Sequence, residues 1–184
     1  MFNERKAAQM AAYLLHKRGG TMSHLKLMKL LYLADREAMD RYGAPISGDL
    51  LVAMPHGPAL SNTLNHMDGD VESSPGGWTD WISDQADYEL MLRNPVSVED
   101  LDELSEAELD VLDAVWEQFG SMGRWALRDY THTHCPEWED PRGSSNPIPY
   151  YRVFRALGRS LQDARALSDR IESHAKLDRL FAAL

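Results

Sequence analysis

Between Leu25 and Met39 apolar side chains recur at helical spacing, but they leave almost no wholly polar face. At 100° per residue Leu25, Leu27, Met28, Leu31, Tyr32, Ala34, Ala38 and Met39 fill a broad arc, and Leu30 and Leu33 fall among the charges opposite. A helix apolar nearly all round is a central, buried one. The pattern predicts it from Ser23, a candidate N-cap, to Tyr42-Gly43. Asp35 points into the middle of the arc, between Leu31 and Met28. An unpaired carboxylate there is very costly, so Asp35 is expected to be buried and hydrogen-bonded, pinning the helix to the Pro55-His56-Gly57-Pro58 turn.

The flanking segments read more simply. Glu4 to Arg18 carries Ala7, Met10, Ala11, Leu14 and Leu15 on one face and stops at Gly19-Gly20, which predicts a tight helical hairpin with the central helix. Leu50 to Met54 is an apolar run of strand length, and a short helix is expected from Ala59 to Met67. Gly69 to Gly77 is loop, and Trp78 to Ser83 and Tyr88 to Arg93 are two strand candidates. Ser105-Glu106-Ala107-Glu108 is a capping box opening an amphipathic helix with Leu109, Leu112, Val115, Trp116 and Phe119 on its apolar face. Trp125 to Tyr130 and Tyr150 to Leu157 are short helices, separated by a polar stretch from Thr131 to Trp138 and a Pro/Ser/Gly loop. From Arg159 onward one long helix aligns Leu161, Ala164, Ser168, Ile171, Ala175 and Leu184, with Leu177, Leu180 and Phe181 beside them. The sum is a mainly α, α+β chain: helices around a central buried helix, with a small antiparallel β element inserted.

Composition changes this picture only in its electrostatics. The 184 residues allow one domain with a real core, and no apolar run approaches the roughly 18 residues of a membrane span. The N-terminus lacks a signal-peptide core and the single cysteine, Cys135, allows no intramolecular disulfide, so a cytoplasmic protein is expected. The net charge of −10 is uneven: residues 1–41 balance to +4, residues 42–142 to −17 and residues 143–184 to +3. So acidic a middle repels phosphate backbones and suits a basic partner, making nucleic acid an improbable one.

Candidate chemistry is sparse. His132, His134 and Cys135 with Glu137 supply zinc-type ligands, or a thiol beside an imidazole, and so define one alternative of a different class, a metal- or thiol-dependent hydrolase. Their spacing fits no finger or HExxH helix, and no family signature surrounds the cysteine. No phosphate-binding loop is present, since Gly76-Gly77 runs into Trp78. A helix-turn-helix over Leu109 to Tyr130 would aim Arg124 and Arg128 at DNA, but its first helix is acidic. No cofactor or metal is expected, and no enzymatic activity.

Three blocks then carry a resemblance. Lys29-Leu30-Leu31-Tyr32-Leu33-Ala34-Asp35-Arg36-Glu37, the stretch Arg41-Tyr42-Gly43 through Pro45-Ile46 to Gly48-Asp49, and Ala53-Met54-Pro55-His56-Gly57-Pro58 resemble the hallmark blocks of the SocA-like antitoxin family, the Panacea domain, which includes the phage-associated GepA proteins. Leu104 to Val115, Trp125-Ala126-Leu127, His134 and Trp138 are similar to that family's C-terminal half, so that the likeness spans about residues 7–158.

The resemblance implies a mostly helical domain over residues 1–158, encoded beside a bacterial toxin and neutralising it by direct protein-protein binding. The family serves many unrelated toxins, and some members deliver the toxin to a ClpXP-type protease, which is a second reading. Blocking a toxin needs desolvated apolar anchors with a polar rim, not reactive groups. The expected anchors are Met54, Pro55, His56, Gly57, Pro58 and Trp138, with Ile171, Leu177 and Phe181 on a C-terminal helix, residues 159–184, that packs on the core or extends it for one partner.

Overall fold

A computed structural model describes residues 1–182; residues 183–184, including the predicted apolar position Leu184, lie outside the described residues. The apolar arc becomes helix α2, His24–Tyr42, whose residues 26–35 are all buried, Leu30 and Leu33 included. Helix α1, Glu4–Arg18, buries residues 7–15 against it. The two do not form a simple hairpin. Gly19 and Gly20 adopt φ +95° and +100°, which turns the chain into a short strand β1, Thr21–Ser23. Ser23 occupies the N-cap of α2 but makes no side-chain capping bond.

After α2 come strands β2, Leu51–Met54, and β3, Gly57–Leu60, then helix α3, Ser61–Met67. The expected helix from Ala59 thus starts two residues late, because residues 57–60 complete an antiparallel hairpin in which Leu51 faces Leu60 and Met54 faces Gly57. The amides that open α3 find their acceptor far away. Asp49, wholly buried, takes the backbone N–H groups of Asn62 (2.9 Å) and Thr63 (2.8 Å) and the Thr63 hydroxyl (2.7 Å).

Trp78 to Ser83 is not one strand. Trp78–Trp81 is a single helical turn, α4, and strand β4 is Ile82–Gln85. Trp78 and Ile82 are buried while Asp80 is exposed, which is helical spacing rather than the alternation a strand would bury. The Glu4 carboxylate fixes the turn by accepting from the amides of Trp78 (2.8 Å) and Ser74 (3.0 Å). Strand β5, Glu89–Leu92, follows.

Helix α5, Glu106–Phe119, carries the expected capping box at Ser105 and Glu108. Helix α6, Arg124–His134, runs four residues past Tyr130 and takes in His132 and His134. A two-residue strand β6, Asn146–Pro147, precedes helices α7, Tyr150–Ala156, and α8, Leu161–Ala182. The described residues are therefore mainly helical with two small antiparallel sheets, ordered β1-β5-β4 and β3-β2-β6. Helix α2 lies at the centre, packed on α1, α5, α6, α7 and β3. Helix α8 packs along α7 through the buried Ala164 and Ser168, while Leu177, Leu180 and Phe181 toward its end are exposed.

Asp35 is wholly buried and accepts the amides of Ile46 (2.8 Å) and Ser47 (2.9 Å) and the Ser47 hydroxyl. Its partner is thus the chain just beyond α2, not the Pro55–Pro58 turn, because three donors in the 46–47 turn satisfy both carboxylate oxygens. Burial, reinforced by the nearby Asp49 charge, still pushes its carboxyl up to about 7. Asp35→Ala strands these three donors in the interior and is expected to cost about 3 kcal/mol of unfolding free energy in a denaturant titration. A loss below about 1 kcal/mol would show that the 46–47 turn is held by other means.

Candidate partner-binding site

The hairpin joining β2 to β3 turns at Pro55-His56, with Pro55 pre-set for the first turn position and Gly57 at φ +96° behind it. Gly57 is needed for a second reason. A Cβ there would lie 2.8 Å from Thr131 Oγ1 and 3.2 Å from the His132 ring, so the hairpin sits flush on α6. Trp138 closes the other side, its indole Nε1 donating to the Met54 carbonyl (2.9 Å) and its ring stacked on His132 at 4.0 Å and 4°.

Of the residues expected as anchors, Met54 to Pro58 and Trp138 are brought together, but they do different work. Gly57 and Pro58 are buried and seat the turn, Met54 and Trp138 are half-buried, and Pro55 and His56 are the exposed tip. Beside the tip stands Trp125, 50% exposed, whose ring meets His56 edge-on at 6.2 Å and 72°. Arg124 and Arg128 flank that ring at 5.5 and 4.9 Å. Trp125 is not among the anchors expected from sequence. Its signal was present, since a tryptophan between two arginines opens a helix whose buried face is carried by Leu127 and Thr131. Ile171, Leu177 and Phe181 lie apart on α8: Ile171 is half-buried beside Pro45 and Ile46, and the other two are exposed.

Beneath the turn lies a polar floor that sequence reasoning also missed. Lys29 Nζ donates to the Pro58 carbonyl (2.6 Å), and the Tyr32 hydroxyl and Arg36 Nε both donate to Glu137 Oε1 (2.7 Å each). Lys29, Tyr32 and Glu137 are buried, and Glu137 Oε2 and His132 Nε2 have no protein partner among the described residues. Burial, with the Arg128 and Lys29 charges, pushes the His132 imidazolium down and favours the neutral ring. The detectable signal was the spacing of Lys26, Lys29, Tyr32 and Arg36, a donor row on an otherwise apolar helix.

The residues of the metal or thiol alternative diverge. His132 stacks on Trp138, whereas His134 stacks on Tyr130 at 4.2 Å and bonds its carbonyl. Cys135 is buried, and burial together with the Glu137 charge pushes its thiol up to about 12, so almost no thiolate forms near neutral pH. No group of three or more His, Cys, Asp and Glu side chains that could hold a metal ion occurs among the described residues. Likewise, no described helix is long and apolar enough to cross a membrane. What the arrangement offers is shape: a fixed turn tip, an exposed indole and two guanidinium groups.

Two measurements test the seating of the turn. Gly57→Ala combines a strained φ with the contact on Thr131 and is expected to cost about 2–3 kcal/mol of stability. Lys29 bears on pH. Burial lowers its ammonium from the ordinary 10.5 to about 7, so the folded chain binds this proton more weakly than the unfolded chain. The stability it contributes is full above about 10.5 and is lost as pH falls toward about 7. Urea titrations between these limits are expected to show stability rising with pH in the parent protein relative to Lys29→Met. Parallel curves would show that Lys29 does not titrate in this range.

The turn, the floor and Trp125 all fall inside a single family match. The family model described as Antitoxin SocA-like, Panacea domain, matches residues 27–139. This is a narrower span than the one read from the sequence blocks, beginning inside α2 and ending just after Trp138. No curated protein and no solved structure matches the chain. With well over half of its length matched, the chain belongs to the SocA-like antitoxin family, the Panacea domain.

Proposed function

We propose that this protein is an antitoxin that neutralises a cognate toxin by direct protein-protein contact, and that it acts as a binding partner rather than an enzyme. The observation that carries this reading is the family match over residues 27–139, which encloses the turn and the exposed Trp125 beside it. There Pro55 and His56 are exposed on a turn fixed from below by Lys29, Gly57 and Trp138, and Trp125 of α6 is exposed beside it. A preformed surface loses little conformational entropy on association, and a half-exposed tryptophan is a typical binding anchor. In this reading residues 1–158 form the antitoxin domain. The C-terminal helix from residue 159 is a partner-specific extension, supported by the exposure of Leu177 and Phe181.

Function is tested by expressing the gene adjacent to the one encoding this chain. Its product is expected to arrest growth, co-expression of this chain to restore it, and the two purified proteins to associate with a Kd of about 1 μM or tighter. Growth arrest that this chain does not relieve would overturn the reading. Trp125→Ala is expected to weaken association by about 2 kcal/mol while leaving thermal stability within about 0.5 kcal/mol, as befits an exposed anchor.

A further inference from the structure

The segment 42–142 has 21 acidic side chains and only four basic ones, Arg93, Arg124, Arg128 and Arg142. Two of those four flank one indole. Arg124 and Arg128 lie over Trp125, and His56 meets the same ring from the hairpin tip. Arg128 donates through Nε (2.8 Å) and Nη2 (2.5 Å) to the largely exposed Asp129, which leaves its other guanidinium nitrogen for a ligand, whereas Arg124 is exposed and joins none of the arginine ion pairs among the described residues. The positive rim continues past Arg124 into a cavity of ≈ 300 Å³, lined also by Arg18, Lys26 and one acid, Glu89. Lys26 is turned inward onto the Gly120 carbonyl (2.6 Å), which leaves Arg18 and Arg124 as the cations free to meet a ligand there.

Exposing both an indole and an unpaired guanidinium is a poor use of a surface that solubility alone could cover with carboxylates, as the rest of this segment does. Guanidinium groups prefer carboxylate or phosphate oxygens in paired geometry, and an aromatic ring between them supplies an apolar contact. The size of the patch selects between these anions. Beyond about 8 Å at physiological salt, charges on the protein are largely screened from a single docked carboxylate. A nucleic acid, by contrast, must run on past the patch into a surface carrying the −17 balance of residues 42–142.

We propose that Trp125, Arg124 and Arg128 form the anchor site for an acidic segment of the toxin, its carboxylate held by Arg124 and Arg128 and a neighbouring apolar side chain laid on the Trp125 ring. The inference rests on the antitoxin reading and specifies which chemistry the partner presents. The toxin therefore offers an acidic anchor even where the remainder of its surface is basic. The acidic surroundings then act in selection, admitting a discrete carboxylate and turning away a continuous polyanion.

The test is calorimetric titration of the full chain with the product of the adjacent gene. The parent is compared with Arg124→Glu/Arg128→Glu, with the neutral Arg124→Gln/Arg128→Gln and with Trp125→Ala, each checked for an unchanged melting temperature. Should charge reversal impair folding, the neutral pair carries the comparison. The expected results are a loss of about 30-fold or more on charge reversal, about 10-fold on neutralisation, and a parent affinity that weakens more steeply than either variant's as salt is raised. Parent binding with growth rescue, but charge-reversal and neutral variants within about 3-fold of the parent, would overturn this site and leave the antitoxin reading standing. A parent that neither binds nor rescues overturns both. Binding of a dT homopolymer at physiological salt, lost in the neutral pair, would reassign the patch to single-stranded nucleic acid and overturn the proposal.

Discussion

Hydrogen bonds donated from the buried interior of α2 are the constraint on which the rest of the fold depends. Lys26, Lys29, Tyr32 and Arg36 form one row along the helix and donate respectively to Gly120, Pro58 and, in two cases, Glu137, at sequence separations of 94, 29, 105 and 101 residues. Asp35, off that row, accepts from the 46–47 turn instead. A buried leucine contributes about 2–3 kcal/mol wherever it packs, so apolar burial alone is indifferent to register. A buried ammonium or carboxylate without its partner costs several kcal/mol, and that penalty falls on every alternative arrangement. The apolar arc holds α2 inside, and the polar row fixes what surrounds it.

The candidate surface at the turn follows from that row. Lys29 fixes the Pro58 carbonyl, which sets the hairpin; Gly57 lets the hairpin lie on Thr131 and His132; Tyr32 and Arg36 hold Glu137, which places Trp138 over His132 and under Met54. The buried Lys29 ammonium has a single carbonyl acceptor for three donors, and burial depresses its proton affinity accordingly. Near neutral pH such a group does not add stability. Its contribution is geometric, a fixed height for the turn above the helix, which is the attested use of buried polar groups.

How much of this can be read from the chain depends on the range of the interaction. Helix α2 is legible because its apolar arc is a local, repeated signal, and α5 because its capping box lies within four residues. The extent of α6 is not. Thr131 to His134 have polar side chains that read as loop, yet Thr131 is buried by Gly57, and its hydroxyl and that of Thr133 bond back to carbonyls within the helix. The start of α3 is missed because its cap, Asp49, sits twelve residues before the helix rather than beside it. At the candidate site, Met54 to Pro58 and Trp138 are legible as a cluster through the family blocks. Their division into buried seat and exposed tip is not, since it is decided by α6 and the polar floor.

The residues that carry the family resemblance are for the most part those that cannot touch a partner. Lys29, Tyr32, Asp35, Asp49, Gly57 and Pro58 come from the three hallmark blocks, and all are buried. Each holds a backbone acceptor, a buried carboxylate, a turn or a helix end, so changing one alters the scaffold. The exposed side chains of Trp125 and Arg124 on α6 and of Leu177 and Phe181 on α8 hold no such bond, and substitution there leaves the scaffold intact. A scaffold held from within leaves its exposed surface open to substitution without unfolding. On the antitoxin reading, contacts to a partner fall to exposed side chains of α6 and, apart from it, of the end of α8, while the turn beside α6 is held in place by the lysine beneath it.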